Sequence, residues 1–210
     1  MATSRKKQTV FQNQPTCDRC AKVLVGHDTV QCTFEDEPQQ LCTQCFNAEI
    51  ARRSGIDDFD NNELDPISIK GADGVAHEFH FQTRLLGGIL SLEAFEMKDG
   101  APGGYQFQLI AEPEEERFAQ LARMVQRIRS TLAIQFLEDS RLGLQIKDRE
   151  VLGRIEMDSS EDAELFGERV PMMVIDGKDV SWEEFGRMLM SFEGWQFKLQ
   201  MVDPSDDPLN

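Results

Sequence analysis

Long apolar runs are missing from this 210-residue chain: none approaches the ~18 to 20 residues of a bilayer-spanning helix, and the N-terminal stretch lacks the apolar centre of a secretory signal. A membrane role is not expected, and a cytoplasmic location is. Basic residues are scarce, with 22 Lys and Arg against 38 Asp and Glu, so the formal net charge is −16. Such a chain repels phosphate backbones and anionic lipid at long range, and binding either would need a local basic patch. Familiar catalytic patterns are absent as well. There is no nucleophile elbow, phosphate-binding Gly-Lys-Ser/Thr loop, dinucleotide fingerprint or HExxH. A hydrolase-type enzyme would have to use an unrecognised site. What is present, 40% hydrophobic content, is enough for one ordinary core.

Cysteine is missing after residue 45, and the five that exist crowd the N-terminal region at 17, 20, 32, 42 and 45. Cys17 with Cys20, and Cys42 with Cys45, form two CxxC pairs at a spacing typical of four-cysteine zinc sites. Two intervening residues let a tight turn present both sulfurs to one ion, and two such knuckles complete a tetrahedron at ~2.3 Å per Zn–S bond. A closed tetrahedron leaves no position for water or substrate, so the single Zn²⁺ expected here is structural. A pair of disulfides is the other reading, and the missing secretory signal and the odd fifth cysteine count against it. Alternation places Val30, Cys32 and Phe34 on one face of a strand, which makes Cys32 a buried small hydrophobe. Cys32 or His27 replacing one knuckle thiol is a further alternative; His27 reads more simply as a turn residue between strands.

Phe46, Ala48, Ile50 and Ala51 recur at helical spacing, and Gly55 supplies a stop, so Cys42 and Cys45 open a helix. Thiolate charge is favourable at that end, where unpaired N–H groups and the macrodipole stabilise it. A knuckle, a hairpin over roughly residues 22–34 and a helix bearing the second ligand pair predict a small treble-clef-like module at residues 15–56. About 40 residues bury too little surface to fold alone, and zinc binding, on the order of 10 kcal/mol in small fingers, supplies the deficit.

Residues 56–63 are acidic and turn-rich, and read as a connector. Residues 1–55 hold 7 basic and 6 acidic groups, so the acidity belongs to residues 56–210, where 15 basic groups face 32 acidic. Residues 64–203 predict one acidic α+β domain built on an antiparallel sheet. It begins with a hairpin over 66–82 and strands near 89–97 and 105–111, punctuated by Gly87, Gly88, Asp99 and Gly100. Pro113 and three glutamates mark a helix start, and Phe118, Leu121, Val125, Ile128, Leu132 and Phe136 its apolar face. Arg123, Arg127 and Arg129 read as the solvated side of that helix. A strand at 151–157 and a charged loop at 158–168 come next. The Asp176-Gly177 turn then marks a hairpin over 172–180. Ser181 with Glu184 fits a capping box, Val180 with Phe185 a hydrophobic staple, and a helix over 182–192 leads past Gly194 into a strand at 195–202. The tail from Asp203 reads as mobile. Residues 104–109 and 194–199 share a glycine-aromatic-Gln-Phe-x-Leu pattern; a true duplication would give them equivalent places in one sheet.

The blocks LCTQCFNAEIA (41–51), FHFQTRLLGGILSLEAFE (79–96) and VIDGKDVSWEEFGRMLMSFEGWQFKL (174–199) resemble an uncharacterised bacterial family. In it a four-cysteine module precedes a domain of unknown function. The resemblance spans most of residues 15–203. It implies a bacterial, cytoplasmic setting and adds weight to Cys17, Cys20, Cys42 and Cys45 as ligands, but supplies no active-site residues.

His77 and His80 flank a carboxylate and could suggest a second site, yet residues three apart on a strand point to opposite faces. A nucleic-acid reading rests on Arg5, Lys6, Lys7, Arg19, Lys22, Arg52 and Arg53. Against it, four thiolates around one divalent ion add negative charge to the supposed binding module. The preferred expectation is a non-enzymatic interaction or adaptor protein, a zinc-stapled module joined to an acidic α+β domain that engages a protein partner, with a basic one favoured by charge.

Overall fold

The structure is a computed structural model and describes residues 15–141, 143–158 and 170–209. Its first unit opens with a bridge between Thr16 and Val23, which closes the first CxxC turn. β1 (Thr29–Phe34) pairs antiparallel with β2 (Glu37–Cys42), Val30 opposite Leu41 and Cys32 opposite Gln39. Glu35 and Asp36 both adopt positive φ, the backbone of a two-residue turn whose twist suits a hairpin. The hairpin thus lies later than the 22–34 expected, because its second strand, Glu-Pro-Gln-Gln-Leu-Cys, is too polar to announce itself. α1 (Thr43–Ser54) begins at once. Cys42 is its N-cap, and Gly55 ends it in the left-handed conformation at φ 68°.

The second unit is the expected antiparallel meander, β3 (Ile67–Lys70), β4 (Ala76–Leu86), β5 (Ile89–Lys98) and β6 (Ala101–Ala111), in that spatial order. α2 (Arg117–Leu132) packs Met124, Ile128 and Leu132 against Phe79, Leu90, Leu92, Phe107 and Leu109. Each such buried side chain contributes about 1.5–3 kcal/mol. The helix starts later than Pro113, and Phe118 is 83% exposed rather than on the apolar face. The buried line runs through Gln120, Met124, Ile128 and Leu132, four residues apart. Gln120 is tolerated inside because its Nε2 donates to the carbonyls of Glu112 and Glu115 in the preceding turn. Phe136 lies beyond the helix and joins the third cluster.

That third unit holds the hairpin of β7 (Leu137–Ser140) and β8 (Gly143–Ile146), and a three-stranded sheet of β9 (Arg154–Met157), β10 (Pro171–Ile175) and β11 (Lys178–Ser181). Asp176 and Gly177 have φ of 51° and 68°, as the predicted turn requires. Ser181 and Glu184 form the expected capping box on α3 (Trp182–Leu189), which ends in a 3-10 turn at Met190–Phe192. Phe136, Leu137, Ile146, Met173, Ile175, Val180 and Met188 make its core. The expected loop at 158–168 lies outside the described residues except at Asp158.

Two expectations fail at the C-terminal end. Among the described residues, 195–202 join no sheet, so the second half of the 104–109 and 194–199 echo has no place there equivalent to β6. The tail, expected to be mobile, is docked: Arg127 on α2 donates to the carbonyls of Pro204, Ser205 and Asp206, and also to Gln108 on β6. Among the described residues no helix is long and apolar enough to cross a membrane.

Candidate metal centre

The first CxxC turn is built by the backbone. Cys17 N donates to Lys22 O at 2.9 Å, Ala21 N to Cys17 O at 2.9 Å, and Ala21 takes a positive φ of 59° to close the loop. Asp18 then ties this turn to β2, its N–H donating to Gln40 O and its carboxylate accepting from Gln40 N. Cys42 arrives at the end of β2, and Cys45 lies in the first turn of α1, its N–H directed at the Cys42 sulfur at 3.5 Å. The Sγ atoms of Cys17, Cys20, Cys42 and Cys45 all lie within 4.8 Å of one another.

Cys20 Sγ and Cys42 Sγ are 3.7 Å apart. A tetrahedron with Zn–S bonds of ~2.3 Å has S···S edges of ~3.8 Å, whereas a disulfide needs ~2.05 Å. The donor set therefore fits a closed metal site. Its electrostatics fit as well. Burial opposes the Cys17 thiolate, but N–H groups of Cys20, Cys42 and Arg19 outweigh it and bring the thiol down to about 6. Burial and then the neighbouring sulfurs push Cys45 up, and burial does the same to Cys42. Four thiols this close cannot all ionise without a cation, and a divalent ion removes that repulsion.

Cys32 and His27 stand outside this group. Cys32 is half-buried on β1, its Sγ donating to Gln39 O at 3.7 Å. His27 sits in a 3-10 turn at Gly26–Asp28, with its ring edge-on to Phe95 at 5.5 Å.

Around the sulfurs lies a ring of ion pairs. Glu49, 3% exposed, accepts from Arg19 in the first CxxC turn and from Arg52 and Arg53 on its own helix. Arg53 also covers the Phe34 ring at 4.5 Å and pairs with Glu35. Lys22 pairs with Asp28 and Glu63, each at 3.1 Å, and Asp28 accepts from Thr43 N at the start of α1. Arg19, Lys22, Arg52 and Arg53, the described members of the expected basic patch, are thus all engaged with carboxylates. Arg5, Lys6 and Lys7 lie outside the described residues.

The unit is joined to the meander by buried amides. β3 reaches only to Phe79, leaving the far half of β4 without a strand on that side. Asn47 from α1 takes the place of one: its Nδ2 donates to Thr83 O at 2.8 Å, and its Oδ1 accepts from Leu85 N at 2.9 Å. Gln82 returns the contact, donating to His27 O and Thr43 Oγ1. Nothing in the sequence singles out Asn47 or Gln82, because the amide pairings exist only across the fold. Glu49 is more accessible, since Glu at positions i, i+3 and i+4 from Arg52 and Arg53 is a readable pattern.

His77 and His80 do not converge on one site. His77 Nδ1 lies 2.8 Å from Glu96 and Nε2 3.4 Å from Asp73, while His80 contacts Glu78 and stacks on Phe95. The cavity beside His77, bounded by Tyr105, Gln135 and Asp176 among others, is about 50 Å³. Burial pushes Tyr105 and Asp176 up, but that volume holds little more than water.

Three family models match the chain, each described as a domain of unknown function: DUF7685 over residues 16–57, DUF7686 over 60–133 and DUF7713 over 136–206. The three matches coincide with the three hydrophobic clusters. The span 64–203, read from sequence as one domain, thus carries two matches and two cores. No curated protein and no solved structure matches the chain.

Proposed function

We propose that the protein is a non-enzymatic interaction protein. One structural Zn²⁺, held by Cys17, Cys20, Cys42 and Cys45 in a treble-clef module, fixes the geometry of an acidic α+β remainder that engages a protein partner. The observation that carries this reading is the four-sulfur cluster, whose first turn is tied by Arg19 to Glu49 on α1. The succession of CxxC turn, hairpin and helix supports a treble clef. The engagement of Arg19, Lys22, Arg52 and Arg53 with carboxylates turns the reading away from nucleic acid, since phosphates would have to displace carboxylates already in place. Net acidity in the remainder points to a basic partner.

The test is co-purification from native cells with the tagged full chain and with a Cys17→Ser/Cys20→Ser variant. A discrete protein partner that binds in low salt and is lost with the variant supports the reading. Recovery of the same partner by both chains removes the zinc unit from the mechanism, and enrichment of nucleic acid instead overturns it.

A further inference from the structure

Residues 195–202, Trp-Gln-Phe-Lys-Leu-Gln-Met-Val, alternate apolar and polar side chains as a half-buried strand does. Yet among the described residues they belong to no sheet, and none forms a backbone–backbone hydrogen bond with residues 196–202. All eight residues are exposed, and among the apolar ones Trp195 is 57% exposed, Phe197 90%, Leu199 71% and Met201 67%. Scattered exposed hydrophobes are ordinary, but four large ones within eight residues are not.

The segment is held at both ends. Trp195 N donates to Phe192 O, the Trp195 ring meets Phe192 edge-on at 5.7 Å, and Arg149 lies over that ring at 5.0 Å. At the other end Arg127 grips the carbonyls of Pro204, Ser205 and Asp206. A chain held at both ends has already lost part of the entropy that forming a strand would cost. Its backbone calls for a neighbouring strand, and its exposed side chains call for apolar cover.

Which strand is decided by charge. Residues 136–206 hold 17 acidic and 8 basic groups, and Lys198 is the only cation among residues 190–210. A second copy would bring the same negative surface to the contact. A cationic strand would meet that negative surface with the opposite charge.

We infer that residues 195–202 are a docking strand for an extended, basic segment of a protein partner, which adds to them by β-pairing and covers Trp195, Phe197, Leu199 and Met201. This deepens the interaction reading above and rests on it, since it places the partner-binding surface in the third unit.

The experiment uses the zinc-loaded full chain and a labelled peptide of four Lys-Val repeats, followed by fluorescence anisotropy at about 50 mM salt, where charges are screened less than at physiological ionic strength. A Glu-Val peptide, and a Lys-Val peptide N-methylated at alternate residues, serve as controls. The expected result is binding of the Lys-Val peptide that weakens at least tenfold in Phe197→Glu/Leu199→Glu, at least tenfold on N-methylation, and likewise with the Glu-Val peptide. Both substituted side chains are exposed, so circular dichroism and zinc content should match the parent. Absence of binding, or binding indifferent to the substitutions or to N-methylation, overturns the proposal. So does a dimer in light scattering that the double variant dissolves, since a second copy then covers the strand. If the double variant still recovers a native partner, the docking strand fails while the interaction reading survives; if the full chain recovers no partner, the broader reading fails too.

Discussion

Glu49 is the residue on which three cations of the zinc unit converge. Arg52, then Arg53 and Arg19, hold its carboxyl well below the usual carboxylate range. A carboxyl depressed in the folded chain contributes stability that is present above its unfolded pKa of ~4.3 and is lost as pH falls toward the folded value. Urea midpoints of wild type and Glu49→Gln should therefore differ most at pH 7, the variant being less stable, and converge toward pH 3. A constant gap would show that Glu49 acts by packing rather than charge. Asn47 gives a second test. Asn47→Ala leaves Thr83 O and Leu85 N without their partner, at a cost of about 1–3 kcal/mol for buried polar groups stranded in this way. Urea denaturation measures it, and a loss under about 0.5 kcal/mol would mean that water takes the place of the amide.

Among the elements, those with local chemistry are the most legible. The Asp176-Gly177 hairpin and the helix behind Ser181 can be read because turn, cap and staple residues are neighbours in sequence. Ser181→Ala should cost about 1 kcal/mol of stability, the usual value of an N-cap, measured by urea denaturation. α2 is legible as a helix, but its apolar face is misjudged at Phe118, because its inward line is continued by Gln120, a polar residue that only the preceding turn makes acceptable. Residues 195–202 show the opposite failure: the alternation is that of a strand, but no ladder among the described residues receives it. The docked tail depends on Arg127, which from sequence belongs to the solvated side of α2. Arg127→Ala should raise hydrogen exchange at residues 203–207 while leaving the far-UV circular dichroism of α2 unchanged; unchanged exchange would mean that other contacts hold the tail.

At the scale of the whole molecule, the four sulfurs are visible in the spacing of two CxxC pairs, because metal ligands must be local in pairs even when the pairs are distant. The way this unit meets the rest is not visible. Asn47 and Gln82 join α1 to β4, and no pattern in either segment foretells the other. That junction makes a prediction: removing the metal should loosen more than the zinc unit. Without the ion the sulfurs repel, α1 loses its anchored N-terminus, and the amide pairing to Thr83 and Leu85 goes with it. Hydrogen exchange after chelation should rise across α1 and at Thr83 and Leu85, while β10 and α3 keep their protection. A uniform rise through β10 and α3 would instead indicate one cooperative unit.

The most direct test is zinc-edge X-ray absorption on protein purified without added metal, together with its zinc content. One zinc per chain surrounded by four sulfurs at ~2.3 Å is the result required by Cys17, Cys20, Cys42 and Cys45 acting together. Less than stoichiometric metal, or a shell containing nitrogen or oxygen at ~2.0–2.1 Å in place of sulfur, would contradict it.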